Sequence, residues 1–163
     1  MTAVLLVDEA TRRRRSSRLA LVLAQHGATR LVPRRSRRRG DVCRAAGLLT
    51  ALGARVAVRP PSTPWPRPGS GRLVVADRLR PLDELVLRTV VPDRVLPAER
   101  APDLPGPVCP VEVRYRTEDG DDVTRLLGGD LGTAVRRALT LRGLVIEVRL
   151  LPHDRWNCTT MSA

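Results

Sequence analysis

The sequence predicts a single layered α/β domain in which a mixed, partly parallel sheet is flanked by helices. Segments with the two-residue period of strands alternate along the chain with segments of helical period, which is the order typical of α/β layers. The 163 residues match the usual length of one domain. Hydrophobic residues make up 42% of the chain and Phe is absent, so the core is expected to consist of Leu, Val and Ala.

The N-terminal part is predicted to be a basic, poorly structured arm. Arginines cluster at residues 12–15 and 34–39, and between them residues 17–25 have the pattern of two helical turns. The apolar run at residues 19–24 is far shorter than the roughly 18 residues of a membrane-spanning helix. A signal peptide is not expected, because acidic residues and an arginine block precede this run.

A helix is predicted over residues 41–52. Asp41 is placed to cap its first turn, and Gly53 can end it in a left-handed turn. Its apolar residues follow the i, i+3, i+4, i+7 spacing, so one stripe faces either a core or a bilayer. The stripe consists of Val42, Ala45, Ala46, Leu49 and Leu52.

The middle of the chain is predicted to contain three short strands and a helix. The strands cover residues 55–59, 73–76 and, more weakly, 94–96, and a Pro-rich connector separates the first two. The helix begins near Pro81, whose fixed φ suits the first helical position. Asp83 and a neighbouring glutamate follow in its first turn, where the helix dipole favours negative charge.

The last third is predicted to contain a strand, a helix and a buried strand. Residues 111–116 alternate apolar and polar side chains, the period of a strand with one face in water. An acidic turn follows at residues 118–122. Asp130 then caps a helix, and residues 144–151 form a buried strand. The expected organisation is an arm over residues 1–39, the α/β domain over 40–151 and a tail over 152–163.

The charge of the chain predicts an anionic partner. There are 29 basic residues, all arginine, against 17 acidic ones, which gives a net charge of +12. Such a surface attracts nucleic acid, acidic lipid headgroups or phosphorylated substrates. Aromatic residues are 2% of the chain, too few for a single-strand stacking platform, and no nucleic-acid recognition motif occurs. Nucleic acid is therefore not expected, and an anionic phospholipid membrane is favoured.

No metal or cofactor site is predicted. Cys43, Cys109 and Cys158 form no C-x-x-C pair, which favours a reduced cytoplasmic setting without a disulfide framework. Neither His26 nor His153 has a partner at metal-ligand spacing. The acidic turn departs from the calcium-loop pattern, and the phosphate-binding-loop and serine-hydrolase motifs are absent from the sequence.

The most informative segment is residues 71–83, which read GRLVVADRLRPLD. They resemble the first block of the glycerolipid acyltransferases, the family of bacterial 1-acylglycerol-3-phosphate and lysophospholipid acyltransferases. In that block an apolar strand ends in Asn-His, and an Asp follows after four residues. Residues 43–56 look like the preceding helix and strand, and residues 107–116 look like the late Pro-Val-x-Pro-Val strand. The resemblance covers residues 37–153 and implies an acyltransferase-type fold.

The resemblance also implies a chemistry and a missing segment. Family members transfer an acyl group from acyl-CoA or acyl carrier protein, as co-substrate, to a lysophospholipid in phospholipid biosynthesis. Their histidine takes a proton from the acceptor hydroxyl, and their aspartate orients the ring. The family's second block, G-x-x-F-x-x-R, and its third, Pro-Glu-Gly-Thr, have no counterpart in this sequence, so the middle segment of the domain is expected to be missing.

The catalytic motif is substituted. Asp83 stands at the aspartate position, whereas Asp77 and Arg78 stand where Asn and His belong. Arginine stays protonated at physiological pH and cannot act as the base. Acyl transfer is therefore expected to be weak or lost. Asp83 can instead be a carboxylate stabilised by the helix dipole, and Arg78 can be solvated or paired with Asp77 or Asp83. A sharper hypothesis makes Arg78 and Arg80 the contacts of an anionic headgroup.

Three functions remain open from the sequence. The first is an impaired acyltransferase that associates peripherally with the cytoplasmic face of the cell membrane. The second is a non-enzymatic basic module that binds anionic lipid or a partner protein. The third is a gene product that retains no role.

Overall fold

A computed structural model describes residues 6–28, 34–91, 93–100 and 106–152. The described residues form helices and strands that alternate over most of the chain, as predicted. The helices are α1 (Glu9–Ala28), α2 (Arg34–Ala51), α3 (Pro81–Val90) and α4 (Leu131–Thr140). The strands are β1 (Arg55–Arg59), β2 (Leu73–Ala76), β3 (Val95–Pro97), β4 (Val108–Arg116) and β5 (Val145–Leu150).

The five strands form one mixed sheet in the order β1-β5-β4-β2-β3. β2 pairs in parallel with β3 and with β4, and β1 pairs in parallel with β5. β4 and β5 run antiparallel, with Tyr115 opposite Ile146. The predicted α/β class with a partly parallel sheet is confirmed.

The main core lies between the sheet and the helices α2, α3 and α4. Alternate residues of each strand point into it, because successive side chains of a strand face opposite sides of a sheet. α1 packs on α2 and α4. No Phe is available, and the largest fully buried side chain is Tyr115. Aliphatic core residues include Leu49, Leu52, Val74, Leu82, Val86, Leu87, Leu144, Ile146 and Val148.

The N-terminal segment is helical over a longer range than predicted. α1 has 20 residues instead of two turns, and α2 begins at Arg34 rather than at Asp41. The Asp8 side chain accepts the N–H of Thr11 at 2.6 Å just before α1. Further along, the Arg15 guanidinium donates to the backbone C=O of Leu141 at 2.7 Å. The second of these contacts binds the segment to the domain, and where the chain is described helices stand in place of the predicted poorly structured arm.

Three of the five residues of the predicted apolar stripe face the core, whereas Val42 and Ala46 are exposed. Ala45, Leu49 and Leu52 are 1–3% exposed, and Val42 at the edge of the stripe is 39% exposed. A bilayer could not reach the buried residues unless the core opened. Gly53 follows α2 at φ +70°, the left-handed conformation predicted for it.

The remaining elements lie close to their predicted positions. α3 begins at Pro81, and the Asp130 side chain caps α4 by accepting the N–H of Thr133 at 3.0 Å. β4 begins at Val108, earlier than predicted, because residues 108–111 pair with β2. The tail from residue 153 onward lies outside the described residues.

Candidate functional site

Asp83 lies in the first turn of α3 and is 2% exposed. Its Oδ2 accepts the backbone N–H of Arg80 at 2.9 Å, and its Oδ1 accepts the hydroxyl of Tyr115 at 2.5 Å. Tyr115 comes from β4 and is fully buried. The bond from Arg80 closes the first turn of α3, and the bond from Tyr115 holds the start of α3 to the sheet.

The protonation of this pair follows from its burial. Burial raises the pKa of the Asp83 carboxyl, and the hydrogen bonds from Tyr115 and Arg80 act in the opposite direction. Burial and the nearby Asp83 raise the pKa of Tyr115 far above its usual range. The tyrosine hydroxyl thus remains protonated and acts as a donor, and it cannot serve as a general base.

The substituted motif residues lie just after the end of β2. Asp77 and Arg78 are both exposed, whereas Asp83 is buried behind them. Within the described ranges, Arg78 forms no ion pair with Asp77 or Asp83. Arg78 is therefore a solvated side chain, and it does not take the place of a histidine held by Asp83.

A cleft of about 560 Å³ opens beside these residues. β2 pairs with β4 only as far as Val111, so the second half of β4 continues past the end of β2. The loop after β2 then faces this part of β4 across the cleft. The structure brings together the predicted Asp77, Arg78 and Arg80 and adds charged residues that the sequence did not single out. The added residues are Glu112, Arg114 and Asp122.

The charged side chains of the cleft differ in how far they are already engaged. Arg114 donates to Glu112 at 2.6 Å, and this bond raises the pKa of Arg114. Asp122 accepts hydrogen bonds from Thr124, which lower the pKa of Asp122. Among the residues that the structure describes, the guanidinium groups of Arg78 and Arg80 form no ion pair. These two groups are available to an anion in the cleft.

A second basic feature is the outer side of α1. Its inner side carries Leu19 and Val22, of which Leu19 packs against the main core. Six exposed side chains of α1 form the α1 surface, in which basic residues occupy the first half of the helix and leucines the second. Leu21 is 59% exposed and Leu23 is 55% exposed. The α1 surface consists of Arg12, Arg13, Arg14, Arg18, Leu21 and Leu23.

No family model, curated protein or solved structure matches the chain. No helix in the described part of the chain is long and apolar enough to cross a membrane. Nor do the described residues contain a group of three or more His, Cys, Asp or Glu side chains that could hold a metal ion.

Proposed function

We propose that this chain is a non-enzymatic α/β module of acyltransferase-type ancestry, lacking that family's middle segment, which binds anionic phospholipid at the cytoplasmic face of the cell membrane. The α1 surface is the observation that carries the proposal. It joins exposed arginines to exposed leucines on one helix, so that both charge attraction and apolar contact are available to a membrane surface. Binding rather than catalysis is favoured because Asp83 is buried and the motif's histidine position holds Arg78, which cannot act as a base.

The charge distribution supports the same surface. Residues 1–44 hold 12 of the 29 arginines but only three of the 17 acidic residues, so they account for nine of the twelve net positive charges. In α1, Arg13 is paired with Glu9 at 2.6 Å. Arg12, Arg14 and Arg18 form no ion pair with any described residue. An anionic membrane attracts each such basic residue by about 1 kcal/mol.

Vesicle binding tests this proposal. The unmodified protein should co-sediment with phosphatidylglycerol-containing vesicles and not with phosphatidylcholine vesicles. Replacing Arg12, Arg13, Arg14 and Arg18 together with glutamine should weaken binding more than about tenfold, because several kcal/mol of attraction are removed. High salt should likewise weaken vesicle binding by the unmodified protein, since salt screens exposed charges.

A matched variant separates location from total charge. Arg100, Arg125, Arg136 and Arg142 are exposed side chains outside the α1 surface. Their joint replacement with glutamine removes the same charge and should weaken binding less than about threefold. Equal losses in the two variants would contradict a role for the α1 surface. If duplex DNA competes for the protein as well as anionic vesicles do, the proposed ligand would be nucleic acid and not lipid.

The cleft beside β2 is proposed to hold a headgroup phosphate. Arg78 and Arg80 can donate several N–H groups to phosphate oxygens, which arginine binds well. Arg78→Ala and Arg80→Ala are therefore included in the vesicle-binding measurements. Each should lower the affinity for phosphatidylglycerol-containing vesicles. An unchanged affinity in both would remove the cleft from the proposal and leave the α1 surface.

Acyl transfer is expected to stay absent even when the motif histidine is restored. Arg78→His supplies a base, but residue 78 is exposed, whereas the Asp83 carboxylate is 2% exposed and is held inward by Tyr115 and the backbone of Arg80, so it is not placed to orient the ring. The measurement is transfer from labelled acyl-CoA to lysophosphatidic acid by the purified protein and by Arg78→His. Turnover in the variant alone would show that Asp83 can leave Tyr115. Turnover in the unmodified protein would overturn the non-enzymatic proposal.

A further inference from the structure

A groove of about 1160 Å³ lies between the middle of α2, the helix α3 and the edge strand β3, and its lining shares no residue with the α1 surface or with the cleft at the end of β2. Its lining is an apolar floor with a charged rim. The volume exceeds the roughly 300–1,000 Å³ of most small-molecule sites. The apolar lining residues are Val42, Leu79, Leu87, Val91, Val95, Leu96 and Pro97.

The rim of this groove carries uncompensated positive charge. Arg39, Arg94 and Arg100 line it and form no ion pair with any residue that the structure describes. Each carboxylate in the groove, in contrast, already has an arginine partner. The pairs are Asp41 with Arg44, Glu84 with Arg88 and Asp93 with Arg72.

We infer that the groove binds an acidic amphipathic helix of a partner protein. The apolar face of such a helix would cover the floor, and acidic side chains on its flanks would meet the three arginines of the rim. Helices recognised in grooves use this combination of apolar anchors and complementary charge. Strand addition to β3 is disfavoured, because Pro97 has no N–H to donate. A planar membrane would not fill a concave groove.

A synthetic peptide tests the inference on the whole protein. The probe is a fluorescein-labelled helix of about 18 residues with leucines at the i, i+3, i+4, i+7 spacing and glutamates beside them. Fluorescence anisotropy should show saturable binding that is at least about tenfold tighter than for a scrambled peptide of the same composition. Because both peptides carry the same charge, equal binding would mean general attraction to a basic protein and would overturn the inference.

Two kinds of variant locate the site. Arg94→Glu with Arg100→Glu should weaken peptide binding at least about tenfold, whereas the matched Arg125→Glu with Arg136→Glu should change it less than about twofold. Val42→Asp tests the apolar floor and should also weaken binding about tenfold. Because Val42 is 39% exposed, the melting temperature of the Val42→Asp variant should stay close to that of the unmodified protein. Unchanged peptide binding in the groove variants would overturn the assignment.

Hydrogen exchange and a lipid competitor distinguish the remaining outcomes. Protection by the peptide over α3 and β3 supports the inference, and protection confined to α1 contradicts it. Dodecyl phosphate that binds with the same sensitivity to the groove variants, while the peptide fails to bind, would make the occupant a lipid. The groove variants leave the α1 surface unchanged, so their vesicle binding should persist. A failure of the groove to bind the peptide can thus be distinguished from a failure of the proposed lipid binding.

Discussion

Replacing Arg72 with alanine is expected to lower the free energy of unfolding by about 3 kcal/mol. The Arg72 side chain is 7% exposed and donates from Nε and Nη2 to the Asp93 carboxylate at 2.8 and 2.5 Å. It also donates to the backbone C=O of Pro66 at 2.5 Å and lies 5.4 Å from the centre of the Trp65 ring. Its removal leaves a largely buried carboxylate without its partner, which costs about 3–5 kcal/mol in well-buried pairs.

Urea denaturation followed by circular dichroism measures this loss. Arg72→Lys should recover only part of it, because an ammonium group cannot reproduce the geometry of the guanidinium. Arg67→Ala removes an exposed arginine from the same connector and should change stability by less than about 0.5 kcal/mol. A loss below about 1 kcal/mol for Arg72→Ala would show that the ion pair does not hold the connector to the domain.

Replacing Tyr115 with phenylalanine is expected to lower the free energy of unfolding by about 2 kcal/mol near neutral pH. The substitution removes the hydroxyl that donates to Asp83 and leaves the buried carboxylate with the N–H of Arg80. A hydrogen bond to a charged group is worth about 1.5–3 kcal/mol. The phenyl ring still fills the core, so the loss is assigned to the hydrogen bond and not to a cavity.

The pH dependence gives this prediction a sign. Burial raises the pKa of Asp83 above its ordinary value of 3.8. The folded state therefore binds the Asp83 proton more tightly than the unfolded state does. Protonated Asp83 adds to the free energy of unfolding in acid, and this contribution is lost as the pH rises through the folded-state pKa. The Tyr115 hydroxyl acts to lower that pKa. Its removal raises the pKa further, so the cost of Tyr115→Phe should be larger near neutral pH than in acid.

A double variant isolates the titrating group. In an Asp83→Asn background the side chain cannot ionise, so the cost of Tyr115→Phe should no longer vary with pH. The measurement is urea denaturation at about pH 4 and about pH 7 of four proteins, namely the unmodified protein, Tyr115→Phe, Asp83→Asn and the double variant. A pH-dependent cost that persists in the asparagine background would assign the effect to another group.

Glu147, on β5, has a pKa that is shifted in the direction opposite to that of Asp83. Its carboxylate lies 3.2 Å from Arg59, 3.2 Å from Arg149 and 3.8 Å from Arg116. These arginines lower its pKa, whereas the neighbourhood of Asp83 is mainly apolar and raises the pKa. The pKa values of two acidic residues in the same domain are therefore shifted in opposite directions according to what surrounds them.

Local chemistry explains why much of the fold could be predicted. Pro81 and Asp130 mark the starts of α3 and α4, and Gly53 marks the end of α2. Each acts on atoms within a few residues of itself, so the effect is visible in the order of the amino acids. The alternation in residues 111–116 likewise shows which side chains of β4 face the core. The sequence did not predict the full length of α1, because the contact that holds it joins Arg15 to Leu141, 126 positions away in the chain.

The candidate site depended on contacts between distant segments. The sequence placed Asp83 in the first turn of a helix, but its hydrogen bond to Tyr115 joins residues 32 positions apart and has no local signal. Arg114 was predicted only as a polar residue of a strand, and the pairing of β2 with β4 brings it beside Arg78. The sequence by itself thus determined the elements, their caps and the positive charge. Tertiary structure decided which charges meet, because burial and strand pairing bring together residues that the chain holds apart.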